Sequence, residues 1–300
     1  MAKNETIRRY FHEIELLRRR GYPDLKYISR YLENFEIFKS PRTIERDIQE
    51  LRENYGIAIV YDTQDKGYFI DEDKSVKFNA FMKFLETTHT AQIMMDGLTK
   101  SKDFLENIDF DISEGAKGVE LLKPLLLAVN KSLVINFKHY SFYSKDEKTV
   151  VLKPYFLKEY QGRWYVIGFN DDYKEFRTYG LDRISNLELT KKKFKKKKER
   201  EIRERFDAII GLVYSFNERQ FVVLSFTPFQ GRYIKSLPLH HSQEILIDND
   251  KELRIQLFII PNIELEQQIL KYVPAVEVIK PEWLRKEIKN KLKNALAKYK

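Results

Sequence analysis

Two arginines near the middle of the chain have the residue type and spacing of an anion-binding pair. Arg177 and Arg183 are six residues apart, and an even separation along a continuous strand places two side chains on one face. A bulge near Gly180 would place the two side chains on opposite faces. Arg183 would have a structural role, and not a ligand-binding one, if it pairs with Asp182 or a main-chain carbonyl. Arginine binds phosphate through paired hydrogen bonds, and tyrosine rings stack on nucleobases. The predicted site for an anionic or nucleotide-like effector, single-stranded nucleic acid included, consists of Tyr140, Tyr155, Arg177, Tyr179 and Arg183.

A second set of residues, at 40–51, has the features of a helix that could read DNA. Ser40 is a preferred N-cap residue and Pro41 a preferred first helical residue, so a helix is predicted to begin there. Arg42 and Arg46 are one turn apart on the outer face, and arginine can bond guanine through two hydrogen bonds in the major groove. The inner face is predicted to consist of Ile44, Ile48, Leu51 and Tyr55.

The charged face of this helix also has a simpler explanation. On an ordinary solvated helix, Arg46 would pair with Glu50 or Glu53. Periodicity alone does not decide between the two, whereas the Ser-Pro start and the hairpin that follows favour contact with bases. The residues predicted to contact double-stranded DNA are Ser40, Arg42, Thr43, Arg46, Lys66 and Tyr68.

The elements around this helix predict a winged helix-turn-helix domain over residues 1–75. Apolar residues recur at helical spacing in 5–20 and, after the stop at Gly21-Tyr22-Pro23, again in 25–35. A hairpin is predicted at 57–70, with turn residues at its centre. Three short helices followed by a hairpin are typical of winged DNA-binding domains.

The middle of the chain is predicted to change from helices to strands. Residues 76–130 have an apolar stripe at helical spacing and a further helical candidate at 103–108, which indicates a connector between two domains. In residues 131–190, strands are predicted at 150–160, 164–169 and 175–189, because β-branched and aromatic residues are separated there by turn residues.

Three motifs in these strands resemble the WYL domain of bacterial regulators. They are, in chain order, Pro154-Tyr155, Trp164-Tyr165-Val166 and Leu181-Asp182-Arg183-Ile184, with Val where the family usually has Leu as the third letter of the middle motif. The resemblance implies a small, strongly bent β-barrel of the Sm or SH3 type that closes at 181–189, with Trp164 and Tyr165 in its core. It also implies a basic ligand-sensing patch at Tyr140, Arg177 and Arg183. The helix at 40–51 resembles the recognition helix of winged regulators that are fused to such domains.

The last third of the chain is predicted to be a separate domain after a basic linker. In the linker, 191–205, eight of the first ten residues are Lys or Arg; the run could follow a phosphate backbone, but charge runs are ordinarily solvated. In residues 206–300, strands alternate with helices, which predicts an α+β sandwich. This part resembles the WCX-type extension that follows WYL domains.

Composition limits the classes of function. The 300 residues include no Cys, which removes disulfides, thiolate catalysis and most zinc sites. No phosphate loop or nucleophile motif is present, and the adjacent His240 and His241 would point to opposite sides of an extended chain. We therefore expect no enzyme, no metal and no cofactor. Without a long apolar run or a secretory segment, a cytoplasmic protein with no membrane contact is expected.

The formal charge of +9 favours an anionic partner but does not locate it. Residues 1–75 contain 14 Lys and Arg against 15 Asp and Glu, so the positive excess lies in the rest of the chain. We predict an α+β multidomain transcriptional regulator: a winged helix-turn-helix, a helical connector, a WYL effector-sensing barrel and an α+β domain, assembled as a homodimer on DNA. The alternative is an accessory module that senses nucleic acid and controls a partner enzyme, for example in a defence system. A nucleotide-processing enzyme is a third hypothesis without visible catalytic groups.

Overall fold

The computed structural model describes residues 2–100, 117–142, 144–215 and 217–299. Its contacts divide the chain into two compact units, residues 1–111 and 112–300. Helices and antiparallel sheets form a mixed α/β structure. Within the described ranges, no helix is both long and apolar enough to cross a membrane. The helical candidate at 103–108 lies outside the described residues.

The described part of the N-terminal unit contains the predicted three helices and hairpin, followed by a fourth helix. Ser40, the predicted N-cap of the third helix, accepts a hydrogen bond from the Thr43 N–H (3.3 Å), and Asp24 caps the second helix by accepting one from the Tyr27 N–H (2.7 Å). The elements are α1 (Ala2–Arg18), α2 (Leu25–Glu33), α3 (Pro41–Tyr55), β1 (Ile59–Asp62), β2 (Gly67–Ile70) and α4 (Phe78–Lys100).

One apolar core joins the four helices and the hairpin of this unit. Ile44, Ile48 and Leu51 of α3 are buried in it as predicted. Tyr55, predicted on the same face, is instead 43% exposed. The start of α4 contributes buried side chains to this core, so the first turns of the predicted connector belong to the N-terminal unit: Phe78, Met82 and Leu85.

A five-stranded antiparallel sheet with one helix packed on it begins the second unit. The sheet has the order β6-β5-β4-β3-β7. In the long strand β4, residues 146–152 pair with β3, whereas residues 153–160 pair with β5. The elements are α5 (Leu122–Lys131), β3 (Leu133–Ser141), β4 (Asp146–Tyr160), β5 (Arg163–Asn170), β6 (Glu175–Gly180) and β7 (Ile184–Lys193).

Two predictions about this sheet are wrong. The strand predicted at 175–189 is divided into β6 and β7 by a 3₁₀ turn at Leu181–Arg183. The predicted closure at 181–189 is also absent, since β6 and β7 are the two edges of an open sheet in the described residues. The reason is the turn itself, after which β7 pairs with β3 and not with β6.

The C-terminal part of the second unit is a four-stranded antiparallel sheet of order β11-β8-β10-β9. Helices pack on it through one apolar core. In the last helix, Leu284 and Ile288 are buried in this core, whereas Leu292 and Tyr299 are exposed. The elements are α6 (Glu199–Asp207), β8 (Gln220–Phe226), α7 (Pro228–Ser236), β9 (Glu244–Asp248), β10 (Leu253–Ile259), α8 (Ile263–Lys271), β11 (Val276–Lys280) and α9 (Glu282–Ala297).

A shared cluster of apolar side chains joins the five-stranded sheet to the segment after it. Tyr155, Phe156 and Ile167 of the sheet pack with α6 and its continuation. Lys158 on β4 donates to the Phe206 carbonyl (3.2 Å) and to the Gly211 carbonyl (2.7 Å), and burial lowers the pKa of this ammonium group. These contacts place the segment that follows α6 beside the five-stranded sheet.

Candidate functional site

The outward face of α3 carries the arginines predicted to contact DNA. The Arg46 Nε lies 3.9 Å from Glu50 Oε1, so the expected pairing along the helix is present but long, and 67% of the Arg46 side chain stays exposed. Glu53, the other expected partner, accepts a hydrogen bond from Gln49 at 2.9 Å. Arg42 is exposed and has no side-chain partner within the described ranges. Both guanidinium groups are therefore available to an anionic partner.

The first turn of α3 is held by the hydroxyls of Ser40 and Thr43. Ser40 Oγ accepts a hydrogen bond from the Thr43 N–H and lies 3.2 Å from Thr43 Oγ1. A serine N-cap contributes about 1 kcal/mol to helix stability. The free N–H groups of a helix N-terminus also attract phosphate, which suits the place that these two residues occupy on the predicted DNA-binding face.

The buried side of α3 contains an ion pair that the sequence analysis missed. Arg9 of α1 donates to both carboxylate oxygens of Asp47, with 2.9 Å between its Nη2 and Oδ1. Glu13 is fully buried next to them, 3.8 Å from the Arg9 Nε, and burial together with the charge of Asp47 raises its pKa. The position of Asp47 between the buried Ile44 and Ile48 was the available signal. This pair fixes the rotation of α3 and hence which side faces out.

The hairpin presents the two other predicted contacts. Lys66 is exposed in the turn, at φ +52°. Tyr68 is half-buried; its N–H donates to the Pro23 carbonyl (3.0 Å), and burial raises the pKa of its hydroxyl. A Cβ on Gly67 would lie 1.7 Å from the Tyr22 carbonyl oxygen, so no side chain fits there. The hairpin is therefore fastened to the connection between α1 and α2.

A groove of about 640 Å³ between this connection, α2 and the hairpin turn adds residues that sequence reasoning missed. Lys26 and Arg30 lie four residues apart on α2, and that spacing was a visible signal. Arg19 lines the same groove, together with Lys66. The groove is thus lined by four cationic side chains and two carboxylates, Asp24 and Asp65, and the excess of cations can hold a phosphate backbone.

In the second unit, Arg177 and Arg183 line a single cavity of about 430 Å³. They do so although the strand between them is not continuous, because β6 ends at Gly180 and Arg183 belongs to the 3₁₀ turn that follows. The turn, and not the parity of an extended strand, brings these two side chains together. A Cβ on Gly180 would lie 2.4 Å from Asp182 Oδ1, so a larger residue at this position would displace the Asp182 and Arg183 side chains.

Each of these two arginines has an aromatic neighbour. Arg177 forms an ion pair with Glu175 and lies over the Tyr173 ring, 4.1 Å from its centroid. Arg183 lies over the Phe142 ring at 4.6 Å. Its Nε is buried 3.5 Å from the adjacent carboxylate oxygen, and neither atom has a hydrogen-bond partner among the described residues. The pairing of Arg183 with Asp182 is therefore loose, and the guanidinium group of Arg183 keeps N–H donors that can bind a ligand.

The three tyrosines predicted for this site do not line the cavity. Tyr155 is 4% exposed, and its hydroxyl donates to the Lys197 carbonyl (3.3 Å) and accepts from the Lys197 N–H (3.0 Å). Tyr179 is 7% exposed, and its hydroxyl accepts from Asn170 Nδ2 at 3.1 Å. Tyr140 is exposed but lies outside the cavity lining. Burial removes the first two from the candidate site, since their hydroxyls are already bound inside the protein.

Other residues take the place of these tyrosines. Tyr165, expected in the core, lines the cavity, and burial raises the pKa of its hydroxyl. The opposite wall comes from Leu212, Val213, Tyr214 and Glu264, beyond the five-stranded sheet. Nothing in the local sequence pattern marks these residues, because only tertiary packing brings them to β6. The arrangement of two arginines, two tyrosines and main-chain groups can bind an anion beside an aromatic ring.

The expectation that His240 and His241 point apart is wrong. Their ring centroids are 4.0 Å apart, because residues 240–242 form a bend and turn and not an extended chain. Both Nε2 atoms face the Asp207 carbonyl, at 2.7 and 3.2 Å. The Asp207 carboxylate hydrogen-bonds His241 and raises its pKa, whereas burial lowers the pKa of His240. Among the described residues, no group of three or more His, Asp or Glu is placed to hold a metal ion.

Two solved structures of known proteins are similar to this chain. No curated protein matches the sequence. The chain is similar to the solved structure of proteasome accessory factor B/C (PafBC) of Arthrobacter aurescens, with 16% identity and a TM-score of 0.32, over 95% of this chain and 45% of that one. It thus spans less than half the length of PafBC. It is also similar to a CRISPR Cas-related protein, with 15% identity and a TM-score of 0.38, over 99% of this chain and 85% of that one.

Two domain families match the second unit. The WYL domain matches residues 120–189, which contain α5 and the five-stranded sheet. The WCX domain matches residues 218–296, which contain the four-stranded sheet and its helices. The chain therefore contains a WYL domain followed by a WCX domain.

Proposed function

We propose that this protein is a ligand-responsive, sequence-specific DNA-binding transcriptional regulator whose WYL domain senses an anionic or nucleic-acid-derived effector. The observation that carries the proposal is that two separate sites each contain a pair of arginines. Arg42 and Arg46 are exposed on a capped helix of the N-terminal unit, and Arg177 and Arg183 line one cavity of the WYL-containing unit. One place suits bases and phosphates of a duplex, the other a small anion.

The DNA-binding part of the proposal is a winged helix-turn-helix. Its α3 would enter the major groove with Arg42, Thr43 and Arg46 toward base edges, while Lys66 and Tyr68 of the hairpin contact the backbone. A single module of this size buries only about 600–1,000 Å² on DNA, which is too little for strong specificity at physiological salt. We therefore propose a homodimer that reads two half-sites.

The sensing part of the proposal is the cavity between the five-stranded sheet and the segment after α6. That sheet is open, and its edge strand β6 carries Arg177 of the cavity lining. The proposed effector contacts are Arg177, Arg183 and Tyr165, with the anion on the guanidinium groups and a ring of the ligand on the tyrosine.

Footprinting on the DNA upstream of the protein's own operon tests the proposal. Protection of two half-sites spaced by one helical turn or a multiple of it would support a dimeric regulator. The Arg42→Ala/Arg46→Ala double variant is the matched control and should leave no footprint at the same protein concentration. Binding that is equal for all sequences and that disappears with added salt would contradict sequence-specific recognition.

A second candidate function is an accessory module that senses single-stranded nucleic acid and controls a partner enzyme. The charge distribution favours it, because the positive excess lies outside residues 1–75. The two functions differ in the ligand of highest affinity. Titration with labelled duplex and single-stranded DNA of the same sequence separates them: an accessory module binds the single strand tightly and shows no preferred duplex site, and a regulator shows one.

A further inference from the structure

The cavity that contains Arg177 and Arg183 holds a carboxylate on two main-chain donors. Leu212 and Val213 both donate their N–H groups to Glu264 Oε2, at 2.6 and 2.7 Å. Consecutive N–H groups next to a residue with left-handed backbone form an anion-binding concavity, and Gly211 provides that backbone with φ +86°. Glu264 occupies this concavity as its anion.

The surroundings of Glu264 are shaped for a carboxylate at this place. A Cβ on Gly211 would lie 2.2 Å from Glu264 Cδ, so only glycine leaves room for the group. Asn262, the N-cap of α8, also donates to Glu264 Oε2, at 3.3 Å. On the other side, Thr178 of β6 donates its hydroxyl to the Leu212 carbonyl (3.1 Å). Residues 211–213 are thus held between α8 of the WCX domain and the WYL strand next to the arginines.

We propose that Glu264 is an internal stand-in for the anionic group of the effector, and that a phosphate-bearing effector displaces it from the Leu212 and Val213 amides. This inference rests on the proposed sensor function of the cavity. A phosphate accepts several hydrogen bonds at once, from main-chain N–H groups and from arginine. Arg183 lines the same cavity and has a buried Nε without a hydrogen-bond partner.

Displacement gives the effector a way to act on the WCX domain. Without effector, Glu264 ties residues 212 and 213 to the first turn of α8. With the phosphate on those amides, the Glu264 bonds to α8 are lost, whereas Asn262 Nδ2 still donates to the Ile210 and Val213 carbonyls and Thr178 still bonds the Leu212 carbonyl. A ligand shifts a conformational equilibrium only through contacts that differ between the two states, and this exchange of anions is such a contact.

The competing explanation is that Glu264 only fastens the cavity wall. The two explanations predict opposite effects of removing its charge on ligand affinity. A stand-in competes with the ligand, so its neutralisation strengthens binding. If Glu264 only stabilises the cavity wall, neutralising it weakens ligand binding or leaves it unchanged.

Isothermal titration of the full chain with inorganic pyrophosphate tests the proposal. The variants are Glu264→Gln, Glu264→Ala and Arg183→Gln, with Glu282→Gln, an exposed residue of α9, as the matched control. Neutral hydrogen bonds are roughly half as strong as charged ones, so we expect Glu264→Gln to bind pyrophosphate about 5- to 20-fold more tightly than wild type. We expect Arg183→Gln to bind at least about 10-fold more weakly, and Glu282→Gln to match wild type.

The outcomes separate this inference from the sensor function. Unchanged or weaker binding by Glu264→Gln, with binding still lost in Arg183→Gln, overturns the displacement and leaves the sensor site standing. Pyrophosphate binding by none of the proteins overturns both. Because Glu264→Gln keeps an acceptor for the two amides, it remains informative if Glu264→Ala fails to fold, and melting curves of every variant establish this.

Discussion

His12 of α1 is stacked on the Phe35 ring with the ring centroids 3.6 Å apart, and it is 7% exposed. Burial, reinforced by the neighbouring His89 and Arg8, lowers the pKa of His12 to about 4. The unfolded chain, with an ordinary pKa of about 6.5, then binds more protons than the folded one between the two values. The folded state therefore loses stability as the pH falls from about 6.5 toward 4, by up to about 3 kcal/mol.

His12→Phe keeps a flat ring on Phe35 but removes this titration. We expect urea unfolding of the variant to show a shallower loss of stability between pH 7 and pH 4.5 than that of the wild type. His89, whose pKa burial also lowers, remains in both proteins, so the difference between them reports the titration of His12 together with its repulsion by His89. Parallel stability curves for the two proteins would contradict the assignment.

The proposed contacts of Arg42 and Arg46 with DNA can also be tested one residue at a time, because each acts through a single guanidinium group. Replacing either by Ala should cost about 1–3 kcal/mol of specific DNA binding if that arginine makes a bidentate base contact. Melting temperatures should stay unchanged, since both side chains are exposed. Arg200→Ala removes an arginine of α6 whose side chain is 93% exposed and is the control for net charge. Operator affinity equal to that of the control in both α3 variants would rule out the proposed docking.

At the scale of elements, the hairpin depends on one glycine. Gly67→Ala would push a methyl group against the Tyr22 carbonyl oxygen, where the Cβ distance is 1.7 Å, so the hairpin must move away from the α1–α2 connection. We expect a loss of about 2 kcal/mol or more of stability, the range of an overpacked site. Gly21→Ala is the matched control in the same connection, because nothing lies within 4 Å of its Cβ position. Thermal unfolding of the two variants compares their stabilities. Equal melting temperatures would contradict the close contact between Gly67 and Tyr22.

Elements whose ends are set by local residues were predictable from the sequence. Helix α3 begins after the predicted Ser40 cap, and helix α2 begins after the stop at Gly21-Tyr22-Pro23, where Asp24 caps it. The features set by tertiary packing were not predictable. The turn at 181–183 and the open sheet depend on which strand β7 pairs with. Local strand propensity does not determine the pairing partner.

The same distinction holds within the candidate site. Arg177 and Arg183 could be singled out because arginines near tyrosines have a recognisable chemistry, and both line the cavity. Tyr155 and Tyr179 were predicted with them, although their hydroxyls are bonded inside the protein, because an aromatic residue in a strand has the same sequence pattern whether its hydroxyl faces a ligand or a buried main-chain or side-chain group. Glu264 is more than 80 residues away from the arginines in sequence, and only the packing of the two sheets reveals it.

At the scale of the whole molecule, the proposed sensor must change the affinity of the proposed DNA-binding unit for its operator. A coupling of about 1–3 kcal/mol between two sites changes affinity roughly 5- to 150-fold. Arg183→Gln should abolish this response and leave DNA affinity without effector unchanged, because the side chain lines the cavity and contributes no apolar burial to the core. Operator binding measured with and without effector, for wild type and variant, checks this.

Two further measurements make the result specific to the cavity. Arg232→Gln, an exposed arginine of α7 away from the cavity lining, should respond to effector like wild type. Melting curves must show that Arg183→Gln is folded, because Arg183 also stacks on Phe142 and could brace the 3₁₀ turn. A large fall in melting temperature would assign Arg183 a structural role. A stable Arg183→Gln protein with the full wild-type response would show that the effector is sensed elsewhere in the molecule.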